Sequence, residues 1–191
     1  MARESKFTKK ELYNHTRSIL FNHGYDGFHF GLLAEQLDVT RSALYKYYRN
    51  KDELITDFML FEMEQFLTDL EKINEHKHFE TQLEYLLQLI FTYQKIHQIL
   101  LIIYQIPKNS DIKVRKNINK LEAQHDEMYV YLNQFIQLGR KEGKLKAELP
   151  DEMILGFIFQ TVNIPNHSNL PEEKWRELLK DFLTNGMYEV K

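Results

Sequence analysis

The stretch VTRSALYKYYRNKDEL, residues 39–54, puts four cations (Arg41, Lys46, Arg49, Lys51) beside three tyrosines (Tyr45, Tyr47, Tyr48). Their chemistry is that of contact with a polyanion. An arginine can make two hydrogen bonds to guanine, a serine such as Ser42 can bond a base edge or a phosphate, and Ala43 can meet a thymine methyl. Tyrosine hydroxyls and lysine ammoniums suit phosphate oxygens, which set register without reading sequence. Lys51, in the first turn of a following helix, can bring both its amide and its ammonium to one phosphate. Arg41, Ser42, Ala43, Tyr45, Lys46, Tyr47 and Lys51 are therefore the candidate DNA-contacting residues. The alternative is a surface helix with solvated charges and core tyrosines.

Other chemistry is thinly represented. His76-Lys77-His78 is a histidine pair at i, i+2 in an expected interhelix turn, with no carboxylate partner at ligand spacing, so no metal site is expected. No HExxH, phosphate loop or nucleophile elbow occurs, and with no cysteine there is no thiol nucleophile. An enzyme is not expected, nor a cofactor.

The elements that must carry these residues read as helix almost throughout. Thr8 and Glu11 form a capping box, with Phe7 and Leu12 as a staple. The first helix then runs to Gly24, with Leu12, Ile19 and Leu20 on one face, and Tyr25 to His29 connect. A second helix covers about Phe30 to Leu37, with Leu33, Ala34 and Leu37 inward. Thr40 is expected to cap a third, Arg41 to about Tyr48, held by Leu44 and Tyr48 at i, i+4. Asn50 and Glu53 make a second capping box for a helix to about Asn74. Further helices are expected over about 79–93, 96–106, 111–141, 151–163 and 172–188. Two short helices joined by three or four residues form a helix-turn-helix, whose second helix enters the major groove.

Composition agrees with an ordinary folded chain: 191 residues, 43% hydrophobic and 28% charged, with few Gly and Pro. The net charge of −3 is uneven. Residues 1–51 hold 9 Lys+Arg against 5 Asp+Glu, a basic head on an acidic remainder. The longest apolar run, Ile99 to Tyr104, is far below the roughly 20 residues of a membrane span, and the N-terminus has no apolar signal core. A cytoplasmic protein with no membrane partner is expected.

The run GYDGFHFGLLAEQLDVTRSALYKYYRNKDEL, residues 24–54, resembles the DNA-binding domain of the TetR family of transcriptional regulators. Gly24-Tyr25, Leu33-Ala34, Val39-Thr40, Leu44-Tyr45-Lys46-Tyr47-Tyr48 and Lys51-Asp52-Glu53-Leu54 match its pattern in order. GRKEGKLKAELPDEM, residues 139–153, is similar to the linker that follows the family's long seventh helix. Asp38 stands where the family usually has Gly, and Asp tolerates the left-handed turn better than most residues. Phe28 stands where it often has Ser or Thr, so that polar cap is lost unless His29 replaces it. Gly31 offers DNA no side chain.

The resemblance implies an all-α fold: a three-helix helix-turn-helix domain (residues 1–52) and a larger helical ligand-binding and dimerisation domain (residues 53–191). It implies a homodimer, a double-stranded DNA operator and repression released by a small effector. Ile154, Phe157, Ile158, Trp175, Leu179 and Phe182 are the candidate dimer contacts. Met59, Met63, Phe66, Phe91, Tyr104, Met128, Tyr131, Phe135 and Phe159 are the candidate lining of an apolar ligand site, with His97, His125 and Gln160 as polar candidates. For each of them taken singly, a plain core is the favoured reading. The alternative functions are a DNA-binding regulator controlled by a protein partner, or a helical sensor or enzyme whose head is structural.

Overall fold

The computed structural model describes residues 7–100, 102, 105–107 and 111–187, and every principal element among them is helical. In chain order these are α1 (Lys9–Gly27), α2 (Phe30–Gln36), α3 (Arg41–Leu44), α4 (Lys51–Glu71), α5 (Phe79–Thr92), α6 (Gln94–Leu100), α7 (Ile112–Lys141), α8 (Asp151–Gln160) and α9 (Glu172–Met187). Short 3₁₀ turns follow α4 (Lys72–Glu75) and α8 (Thr161–Asn163). The candidate residue Tyr104 and the expected last-helix residue Tyr188 lie outside the described residues. Two units form: Met1–Glu64 with Lys95–Ala123, and Gln65–Gln94 with Gln124–Lys191.

In the first unit the Thr8–Glu11 capping box forms as expected, each side chain bonding the other's backbone N–H. Leu12, Ile19 and Leu20 are buried, joined by Tyr13 and Thr16. Gly24 interrupts α1 with φ 65, ψ −172, yet the chain makes another helical turn to Gly27, so the expected open connection at Tyr25–His29 is shorter. A positive φ there is available to glycine without steric cost.

The α2 C-terminus is a Schellman motif: the Asp38 amide donates to Glu35 O and the Val39 amide to Ala34 O. Asp38 occupies the left-handed position (φ 52), as its short polar side chain permits. His29 is the N-cap of α2, its Nδ1 accepting from the Leu32 amide at 3.1 Å.

Regular helix in α3 ends at Leu44, four residues before the expected limit. The chain tightens there, with Tyr47 and Tyr48 amides both donating to Leu44 O. Aromatic residues at 45, 47 and 48 favour a helix interior weakly, and their ring contacts decide the local path instead. Thr40 is the N-cap residue but makes no cap bond; its hydroxyl pairs with Ser42 Oγ at 3.0 Å. Asn50 Oδ1 does cap α4, accepting from the Glu53 amide at 2.9 Å, while Glu53 reaches back to the Arg49 amide.

The second unit is organised by its own caps and one arginine. Gly143 (φ 64) closes α7 in a second Schellman motif. Glu142 Oε2 accepts from the Phe79 amide at 3.1 Å, completing the α5 N-terminus. The Arg140 guanidinium donates to the carbonyls of Lys146, Ala147 and Leu149 and pairs with Asp151, so it holds the α7–α8 connection.

One ion pair in the first unit has a pH signature. Arg17 meets Glu62 at 2.5 Å, with the carboxylate side chain 3% and the guanidinium 35% exposed. Burial holds the Glu62 carboxyl above its ordinary value, and Arg17 offsets this in part. Arg17→Met leaves a buried carboxylate without its partner and is expected to cost about 3 kcal/mol near neutral pH, the low end for such a loss. An acid whose folded pKa is raised favours the folded state more at low pH, so that cost shrinks as the pH falls toward 5. Urea unfolding at both pH values checks this; equal costs would contradict it.

Candidate nucleic-acid interface

The seat of the interface is a half-buried carboxylate. Asp57 Oδ2 on α4 accepts from the hydroxyls of both Tyr13 on α1 and Tyr48 at the end of the α3 turn, each at 2.8 Å. Burial, reinforced by Asp57, pushes both phenols far above their ordinary value, so each stays an O–H donor. Leu44, fully buried, is the apolar counterpart of Tyr48. The inward face of residues 41–48 is thereby tied to α1 and α4, and the opposite face meets solvent.

That outer face carries most of the expected DNA-contacting residues. Arg41, Ser42, Tyr45, Lys46 and Tyr47 are exposed, and Ala43 is half-buried between them. The two tyrosines are not free to swing. Tyr45 packs edge-on against Phe30 of α2 (5.0 Å between ring centres) and Tyr47 edge-on against Phe7 (5.5 Å). Anchored rings with exposed hydroxyls are ready hydrogen-bond donors. Lys51 stands differently: its ammonium donates to Tyr25 O at 2.8 Å and lies 3.9 Å above the Tyr25 ring. It retains further N–H groups, but it is committed first to joining α4 to the end of α1.

Sequence reasoning missed the part played by Gly31. A methyl group added there would come within 3.0 Å of Arg41 Nη2 and of His29 Nδ1, and 3.1 Å of Arg41 Nε. The missing side chain gives the Arg41 guanidinium its place over the start of α2. It also missed Asp57, Tyr13, and the pairing of this region with α7. Arg49 reaches Asp111 at 3.4 Å, Lys113 lies 3.7 Å from Glu53, and Asn117 Nδ2 donates to Thr56 Oγ1 at 3.1 Å. Sequence separations of sixty residues or more give no local signal of such contacts.

The remaining candidates lie elsewhere. Met59 and Met63 are buried in the first unit, and Phe66, Phe91, Met128 and Phe135 are buried in the second. Phe135 stacks on Phe79 at 4.7 Å, and Tyr131 and Phe159 are half-buried. His97 is partly buried, which holds its imidazole below the ordinary value, while His125 and Gln160 are exposed. Of the candidate dimer contacts, Ile154, Ile158 and Leu179 are buried within the chain and Trp175 is half-buried. Phe157 (50% exposed) and Phe182 (72%) face solvent, each with an exposed i, i+4 companion, Met153 and Leu178. Among the described residues no helix is long and apolar enough to cross a membrane.

Comparison with known proteins agrees with this geometry. Residues 12–57 match the model of the bacterial regulatory proteins, tetR family. The chain is 25% identical over 147 residues to the fatty acid metabolism regulator protein of Bacillus subtilis (strain 168), covering 75% of this chain and 76% of that one. Its fold matches the transcriptional regulator FadR from Bacillus subtilis in complex with stearoyl-CoA, with TM-score 0.67 and 20% identity over 94% of this chain and all of that one. It also matches a transcriptional regulator from Saccharomonospora viridis in complex with choline, with TM-score 0.71 and 14% identity over 95% and 97% of the two chains.

Gly31→Ala separates positioning from stability. The groups in its way are the mobile end of Arg41 and the His29 Nδ1 that caps α2. The helix propensity gained on replacing Gly offsets the strain on that cap, so the melting temperature is expected to stay within about 2 °C. Arg41 is expected to lose its place, and preference for a specific duplex over a random one to fall about tenfold, within the range of one bidentate base contact. Competition binding by fluorescence anisotropy reads this; unchanged preference would contradict it.

Proposed function

We propose that this chain, whose residues 12–57 match the model of the tetR family of bacterial regulatory proteins, is a homodimeric repressor released from its operator by a fatty-acyl effector. The observation that carries the DNA-binding part is the division of residues 41–48 into an anchored inner face and an exposed face of Arg41, Ser42, Tyr45, Lys46 and Tyr47. Arg41, Ser42 and Ala43 would meet base edges. Tyr45, Lys46, Tyr47 and the α4 N-terminus at Lys51 would meet phosphates. In this reading residues 1–52 are the DNA-binding part and residues 53–191 the regulatory part.

The effector class is supported by two relatives: the regulator whose name specifies fatty acid metabolism, and the FadR complex with stearoyl-CoA. It is also compatible with the apolar composition of Phe66, Phe91, Met128 and Phe159 in the second unit. An acyl chain needs apolar surface and few directed polar bonds. Phe157 on α8 and Phe182 on α9, exposed with their companions, are the surface on which a second copy would close, and a two-fold pair of heads reads two half-sites. Effector and DNA would then oppose each other by one coupling free energy, each weakening the other by the same factor.

The test is binding of the purified protein to the DNA upstream of its own gene, with and without stearoyl-CoA. Release is expected at micromolar stearoyl-CoA, a weakening of tenfold or more that corresponds to about 1.4 kcal/mol of coupling. Free CoA at the same concentration should release nothing. Retention of DNA at saturating acyl-CoA would contradict the effector assignment and leave the DNA-binding one standing.

A further inference from the structure

The α7 N-terminus meets the end of the α3 turn across an open groove of about 580 Å³. Its walls include Tyr45, Lys46, Tyr47, Arg49 and Glu53 on one side and Asp111, Lys113 and Lys116 on the other. The two carboxylates are each matched by a cation, Arg49 with Asp111 at 3.4 Å and Lys113 with Glu53 at 3.7 Å. Lys113 also sits 5.2 Å from the Tyr48 ring centre. Two cations are left over. Lys46 and Lys116, both exposed, make no ion pair among the described residues, so the groove carries an unbalanced positive charge from both walls.

We propose that this groove seats a backbone phosphate of duplex DNA, and that Lys116 of α7 is a DNA contact outside the helix-turn-helix. The proposal rests on the DNA-binding reading above. A phosphate held between Lys46 and Lys116 would have two ammonium donors, with the exposed tyrosine hydroxyls beside it. The two matched ion pairs and the Asn117–Thr56 hydrogen bond fix the α7 wall in register with the recognition region, so the second lysine is placed in advance. The charge of the first unit points the same way. Residues 95–123 contribute 6 Lys+Arg against 2 Asp+Glu, whereas residues 1–64 hold 9 against 10. The basic character of that unit therefore comes from its α6–α7 portion.

A phosphate contact is independent of base sequence, so a random duplex suffices for the test. The slope of log affinity against log salt is measured for the wild type, Lys116→Gln, Lys46→Gln and Lys120→Gln. Lys120 is exposed one turn further along α7 and does not line the groove. The slope is expected to become shallower by about 0.9 for Lys116→Gln and for Lys46→Gln, the contribution of one released counterion each, and to stay unchanged for Lys120→Gln. Circular dichroism melting of each variant confirms that the fold is retained. A wild-type slope in Lys116→Gln, or an equal change in Lys120→Gln, overturns this contact and leaves the head as a DNA binder. No salt-dependent binding by the wild type to any duplex overturns both.

Discussion

Asp57 Oδ2 is the point on which the head depends. One carboxylate oxygen on α4 receives two tyrosine hydroxyls, from Tyr13 on α1 and from Tyr48 beyond α3, both at 2.8 Å. Asp57 is half-buried, and losing both donors would leave its inward oxygen partly shielded from water without a partner, so the two hydrogen bonds favour one arrangement of the three segments. With Tyr48 committed inward beside Leu44, residues 41–47 must turn their remaining side chains outward. The short α3 could not hold such a face by its own backbone bonds, since a four-residue helix is too short to be stable alone. Phe30 and Phe7 complete the arrangement by fixing the rings of Tyr45 and Tyr47.

Several polar groups inside the head pair across its helices, while cations on its outside are left for a ligand. Arg17 meets Glu62, Lys51 meets Tyr25, and Tyr25 in turn donates to Asp52 at 2.8 Å. Each of these joins α1 to α4. The exposed cations Arg41 and Lys46 have no such counterion among the described residues. Charge that a fold does not use internally raises the local potential and speeds encounter with a polyanion. α4 and α7 each contribute residues to both units, so the chain runs continuously from the proposed DNA face into the remainder.

Much of this was legible in the residues themselves. The Thr8–Glu11 box, the Asn50 cap, the left-handed turn at Asp38 and the inward pair Leu44 and Tyr48 all rest on interactions within five residues, and each is present. The length of α3 was not legible, because the rings of Tyr45 and Tyr47 find partners at Phe30 and Phe7, outside any helical window. Nor was the hydroxyl of Thr40, which finds Ser42 Oγ instead of a backbone amide. The role of Gly31 was hidden for the same reason: a missing side chain has meaning only once Arg41 is seen beside it. The apolar residues of α8 and α9 were legible as a broad band, but periodicity did not say that Ile154, Ile158 and Leu179 turn into the chain while Phe157 and Phe182 turn out.

The most direct test of the central claim is a selection of bound duplexes from a random pool by the purified wild-type protein, followed by sequencing. A recognition face built from Arg41, Ser42 and Ala43 on two heads requires enrichment of a short motif repeated in inverted orientation, with half-sites about one helical turn apart or a multiple of it. Recovery of sequences without a shared motif, bound with an affinity that disappears as salt rises, would mean that the exposed face meets only phosphates, and would contradict the account.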